Sequence, residues 1–187
     1  MRVLFLENQD SFSWNVVETL PVDRADVRIR PGREVASDPR ALGGADVVVI
    51  GPGPTDPVRA GIVDVVLAAA VARVPLLGIC LGHQALGLAY GARLVRTLPH
   101  HGKVSTVAFS ASRLFPHVAG AHEVMRYHSL ALADVRSPLR VVATTEDGLP
   151  MAIEHETLPM AGLQFHPDSY ATPDGLAMVA DFFAGVR

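Results

Sequence analysis

Apolar residues in this chain fall into short runs with two different rhythms, and the rhythm changes near the middle. In the first half the runs are unbroken: Val3-Leu4-Phe5-Leu6, and then Val47-Val48-Val49-Ile50 after Asp46. Runs of this length without alternation are expected of strands covered on both faces, as in parallel sheets. Val27-Arg28-Ile29 alternates instead, as a strand nearer an edge would. Between these runs the polar spacing changes to that of helices. Asp10 or Ser11 is placed to cap a helix reaching about Leu20, and residues 60–73 read as another. Residues 75–79 form one more short buried strand, with a helix over residues 83–90 immediately behind it. Strand and helix in alternation predict an α/β fold, a doubly wound and mostly parallel sheet with flanking helices.

From about residue 104 onward the pattern differs. Residues 104–109, 123–127, 139–145, 151–154 and 160–165 read as short strands with turns between them, a smaller antiparallel region. Thr172-Pro173-Asp174 opens a last helix, with Thr172 as cap and Pro173 in the first helical position. No repeat, linker or low-complexity stretch interrupts the chain. Residues 1–187 are therefore expected to form a single domain, a length that suits one substantial core.

Composition narrows the function classes. A net charge of -3 leaves no footprint for nucleic acid. The single cysteine cannot form an internal disulfide, which fits a reducing compartment. The opening apolar run is too short for a signal-peptide core and meets Glu7. The most apolar stretch, residues 61–72, contains Asp64 and is too short to span a bilayer. A cytoplasmic location with no membrane contact is expected.

The candidate chemistry centres on that cysteine. A lone cysteine is ordinarily a small buried hydrophobe. Here it stands in Gly78-Ile79-Cys80-Leu81-Gly82, where a strand passes directly into a helix. Gly-x-Cys-x-Gly at such a step has the form of a nucleophile elbow, a turn too sharp for side chains on either side. The thiol then stands at a helix N-terminus, which favours the reactive thiolate. The backbone N–H of Leu81, the next residue, is positioned to bind an oxyanion. A base is available in Gln164-Phe165-His166-Pro167-Asp168. Residues two apart on an extended segment share a side, and Pro167 favours that extension at His166. Asp168 can then orient His166 towards Cys80, which is the logic of a Cys-His-carboxylate triad. His83 is excluded as base, because adjacent helical residues do not share a face. His100 and His101 are adjacent and lack metal-ligand spacing, so no metal site is expected. His117, His122 and His155 read as surface or turn residues.

Six segments occur in an order that resembles one family. They are residues 8–15 (NQDSFSWN), Gly51-Pro52-Gly53-Pro54, residues 78–84, His101-Gly102-Lys103, Arg126-Tyr127-His128-Ser129-Leu130, and residues 164–169 (QFHPDS). The chain resembles class I, triad-type, glutamine amidotransferases with a flavodoxin-like fold. It is most similar to the small subunits of anthranilate synthase and aminodeoxychorismate synthase. The resemblance implies hydrolysis of L-glutamine, with ammonia passed to a separate chorismate-using synthase in a hetero-oligomer. It assigns the second oxyanion donor to the 51–54 loop. Within that loop Gly53 is the sensible donor, since neither proline carries an N–H. It further implies that Gly53, Gln84, Ser129 and Leu130 bind the glutamine and that His101 and Lys103 face the partner. No cofactor is implied on this chain; magnesium is expected only on the synthase.

One departure stands out. The family has His-Pro-Glu where this chain has His166-Pro167-Asp168. The shorter side chain places its carboxylate about 1.5 Å short, so a working but slower glutaminase is expected. Two alternatives remain open: the glutaminase of another biosynthetic amidotransferase, and a catalytically weak homologue acting as a binding or regulatory subunit.

Overall fold

The structure is a computed structural model describing residues 1–100 and 102–186. The first half runs β1 (Val3–Glu7), α1 (Ser13–Glu18), β2 (Val27–Pro31), α2 (Gly32–Ser37), β3 (Val47–Ile50), α3 (Val63–Ala72), β4 (Leu76–Ile79) and α4 (Leu81–Ala89). The second half runs β5 (Arg93–Arg96), β6 (Lys103–Phe109), β7 (Gly120–Arg126), β8 (Leu130–Ala133), β9 (Leu139–Thr145), β10 (Pro150–His155), β11 (Met160–Leu163) and α5 (Gly175–Gly185).

Nine of these strands form one sheet in the order β2-β1-β3-β4-β11-β10-β9-β6-β7. From β2 to β11 all neighbours are parallel. From β11 onward they are antiparallel. The unbroken apolar runs take the central parallel positions, as expected, and β2 takes the edge. Side chains alternate between two cores. Val3, Phe5, Val47, Val49, Leu77 and Ile79 pack on one face against Val16 and Val17 of α1 and Phe182 and Phe183 of α5. Leu4, Leu6, Val48, Ile50 and Leu76 pack on the other against Val65 and Val66 of α3 and Ala85 and Leu86 of α4. A one-residue slip in any central strand would exchange its two sets and disrupt both cores.

Several expectations are corrected. Strand β11, expected among the antiparallel strands, is parallel to β4 and antiparallel only to β10. The tight return from β10 fixes only the antiparallel pairing with that strand, and the buried run Met160-Ala161-Gly162-Leu163 fits a central position beside β4. His155, expected at the surface, is buried, and its Nδ1 accepts the backbone N–H groups of Thr157 and Leu158 in that return. His122 is also largely covered and pairs with Asp174. Thr172 does not cap α5, whose N-cap is Asp174. Its hydroxyl donates to the carbonyl of His166 at 2.8 Å and accepts the N–H of Met125 at 3.0 Å. Helix α2 and the separate β5–β8 ribbon carry no clear sequence signal.

Candidate active site

Cys80 ends the central strand β4 and caps α4 with φ 51° and ψ -95°. This left-handed backbone is costly for a residue with a side chain, and the surroundings hold it in place. A Cβ on Gly78 would lie 2.3 Å from the carbonyl carbon of Gly82, and one on Gly82 would lie 2.3 Å from the carbonyl oxygen of Ile50. Gly78 is therefore required by the first turn of α4 folding back on the strand, and Gly82 by the closeness of that turn to β3. The Cys80 N–H donates to the carbonyl of Leu163 at 2.8 Å, which ties the elbow to β11.

Cys80 and His166 line one cavity of about 290 Å³, together with Gly53, Gln84, Ser129 and Leu130. The sequence-predicted residues thus converge from separate segments of the chain. Gly53 lies against the elbow, since a Cβ there would meet Leu81 Cδ2 at 2.5 Å. Leu81 is the first residue of α4, so its N–H has no partner within the helix. Ser129 and Leu130 reach the cavity through the unforeseen β5–β8 ribbon, where Thr97 donates its N–H to the Ser129 carbonyl. Lys103 starts β6 and lies outside this cavity, paired across the sheet with Arg126. His101 lies outside the described residues.

His166 is held by its neighbours more than by its own strand. Its N–H donates to the Met125 carbonyl of β7 at 3.0 Å. Its ring meets Tyr127 edge-on at 5.0 Å and Phe12 at 5.5 Å, and those two rings stack on each other. Asp168 approaches as expected but stops short: its Oδ1 lies 3.4 Å from His166 Nδ1. That exceeds a good N–H···O distance. Neither Asp168 oxygen nor Nδ1 has another hydrogen-bond partner among the described residues. Burial works to lower the His166 pKa, but the Asp168 carboxylate and the Cys80 sulfur outweigh it and raise it to about 10. The imidazole is thus held in its charged form beside the thiol. His83, in contrast, is fully buried, and burial lowers its pKa to about 4.

Three residues without an assigned role also build the site. Gln164 is fully buried, and its Nε2 donates to Cys80 Sγ at 3.7 Å. Its Oε1 accepts from Gln84 Nε2 at 3.2 Å, and the same Gln84 nitrogen reaches the Leu130 carbonyl at 3.1 Å. Phe12 and Tyr127 wall the imidazole. All three stand in the segments that carry the family resemblance. A signal for Gln164 exists: it is an amide at the end of an apolar strand, two residues before His166 and so on its side. Among the described residues no group of three or more His, Cys, Asp or Glu is arranged to hold a metal. None of the described helices is long and apolar enough to cross a membrane.

Such a site can perform acyl transfer through a thioester: a strained thiol at a helix N-terminus, an imidazolium beside it, and backbone N–H groups nearby. Residues 4–186 match the model of the glutamine amidotransferase class-I family. The chain is 36% identical to anthranilate synthase component 2 of Azospirillum brasilense, covering 99% of this chain and 96% of that one. It is 42% identical to the aminodeoxychorismate synthase of Streptomyces griseus over 97% of its own length, but spans only 26% of that protein. Among solved structures, a Thermoplasma acidophilum protein described as part of a GMP synthase superposes with a TM-score of 0.83. That match is 20% identical and covers 100% of this chain and 94% of the other, a likeness of fold. With nearly its whole length inside one family and more than a third of its residues shared with a relative of matching size, the chain belongs to the class-I glutamine amidotransferases.

Proposed function

We propose that this chain hydrolyses L-glutamine with Cys80, His166 and Asp168 and delivers ammonia to a separate chorismate-using synthase that forms anthranilate or 4-amino-4-deoxychorismate. The observation that carries the chemistry is the shared cavity of Cys80 and His166, with Gln84, Ser129 and Leu130 on its wall. The Cys80 thiolate attacks the side-chain amide carbon, and the N–H groups of Gly53 and Leu81 receive the charge that develops on oxygen. The His166 imidazolium gives its proton to the departing nitrogen, and ammonia leaves a thioester. Neutral His166 then takes a proton from water as it attacks, releasing glutamate and the thiol. Asp168 holds the imidazole in place. No step needs a cofactor on this chain, and magnesium belongs to the synthase. Lys103 and His101 belong to the docking face.

The synthase partner is supported by the relative of matching length, which is named as a component 2. Reconstitution with each candidate synthase, chorismate and glutamine, followed by product identification, tests the reading. Glutaminase turnover is expected to be low alone and to rise markedly with the synthase, further with chorismate. Equal turnover with and without every synthase removes the coupling. The 3.4 Å gap at Asp168 favours a second reading, a catalytically weak subunit. An isolated-chain assay no faster than the Cys80→Ser control, and not raised by any synthase, decides for it.

A further inference from the structure

Arg126 closes β7 with its side chain buried, the residue only 3% exposed. Its Nε donates to His128 Nε2 at 3.1 Å and its Nη1 to Ser105 Oγ at 3.2 Å. Its Nη2 is buried with no hydrogen-bond partner among the described residues. A buried donor left without a partner is costly, and more so on a charged group. Arg126 lines a second cavity, of about 450 Å³, with Ser105, Thr106, Thr145, Glu146, Asp147 and His100. Ser105 Oγ accepts from Nη1, which leaves its own hydrogen able to point at an acceptor beside Nη2. Together they form a two-donor seat for a carboxylate.

The arginine is also connected to the nucleophile. Because its Nε must donate, His128 Nε2 accepts, and Nδ1 carries the proton that His128 donates to the Leu130 carbonyl at 2.9 Å. Burial and the Arg126 charge lower the His128 pKa to about 3, so the ring stays in this neutral form. The Leu130 carbonyl also takes the Gln84 amide, Gln84 bonds Gln164, and Gln164 reaches Cys80 Sγ. Hydrogen bonds thus run without a break from the second cavity to the thiol.

The rim narrows the occupant. Glu146 and Asp147 are exposed there and repel a bare anion from solution. A carboxylate carried on a protein surface with a neighbouring cation would satisfy rim and floor together. The turn leading to Lys103 runs alongside, with Gly102 donating to the Arg126 carbonyl and His100 to the His128 carbonyl. We propose that this cavity receives an aspartate or glutamate side chain of the synthase partner, and that the hydrogen-bonded chain through His128 carries its arrival to the glutamine pocket. This rests on the partner reading above.

The test measures binding of the synthase by calorimetry and its stimulation of glutaminase. Arg126→Met removes the seat. Ser105→Ala keeps the arginine but removes the second donor of the seat, a small change at a half-buried strand position that guards against misfolding of the first variant. Each is expected to bind the synthase more weakly, Arg126→Met by at least tenfold, and to lose its stimulation. If wild type is stimulated and both variants bind and respond equally, the inference is overturned while the partner reading stands. If succinate alone raises wild-type turnover to the level reached with synthase, the occupant is a free anion and the inference is again overturned. If no synthase binds wild type, the partner reading fails first and the inference with it.

Discussion

The parallel and antiparallel halves of the sheet contribute to the site in different ways. The parallel half presents the proposed nucleophile through backbone: a positive-φ cysteine at the end of β4, wedged by two glycines whose neighbours leave no room for a methyl group. The antiparallel half, with the β5–β8 ribbon beside it, supplies side-chain hydrogen bonds and ring contacts around His128, Leu130 and His166. Backbone wedges do not yield, whereas side-chain bonds can lengthen or be replaced by water. Changes at the elbow should therefore act all or none, and changes on the other side should act by degrees.

The largest expected effect is at the elbow. Cys80→Ser should lower glutamine-dependent turnover by roughly 10⁴-fold or more while leaving the melting temperature close to wild type, and a glutamine-analogue electrophile should no longer label the chain. Labelling at another residue would remove Cys80 as nucleophile. Gly82→Ala should come next. Its methyl group would press on the Ile50 carbonyl, and a loss of stability of about 3 kcal/mol is expected from overpacking against backbone. A thermal midpoint unchanged in this variant would break the contrast between the halves.

The other side of the site should respond more gently. Gln164→Leu removes the N–H that reaches the sulfur and leaves Gln84 with the Leu130 carbonyl alone. Alkylation of Cys80 at neutral pH is expected to slow by roughly tenfold, the scale of one charge-assisted hydrogen bond, with kcat falling more than KM rises. A loss as large as that of Cys80→Ser would show that this half is as unyielding as the elbow. Asp168→Asn tests the charge. The aspartate raises the His166 pKa, so its removal should move the alkaline limb of the pH–activity profile down from near 10 towards the ordinary histidine value of 6.5. A limb that stays in place would assign the shift to the thiolate alone.

The smallest effect is expected from Asp168→Glu. The longer side chain closes the 3.4 Å gap to Nδ1, and turnover should be maintained or raised within a few fold. A large drop would mean that the Pro167 turn has adapted to the shorter acid.

The same contrast explains what the sequence reveals. β1, β3 and β4 are buried on both faces, so their apolar runs are readable without knowing their neighbours. The elbow is likewise local, since its two glycines and cysteine lie within five positions. β11 reads as a strand, but its direction depends on the return from β10 that His155 closes, a contact between segments. β5 and β8 are short and only partly covered, so their pattern is weak, although they place Leu130 in the site. Gln84 and Ser129 are reached through resemblance alone, because nothing in their immediate neighbours marks them. The role of Arg126 is invisible in the sequence for the same reason: a buried arginine is recognised by what surrounds it.

Gln164 and Cys80 stand 84 positions apart in the chain, yet they touch. His166 is fixed only when Met125 and Thr172 hold it from opposite sides of its own segment. On the ribosome, the elbow therefore emerges long before the groups that make it reactive. Closing so long a loop precedes any reward from the contacts it brings. A nascent chain carries its thiol without the imidazole proposed as its base, and the reaction proposed for the pair waits until residues 164–172 have folded back onto the sheet.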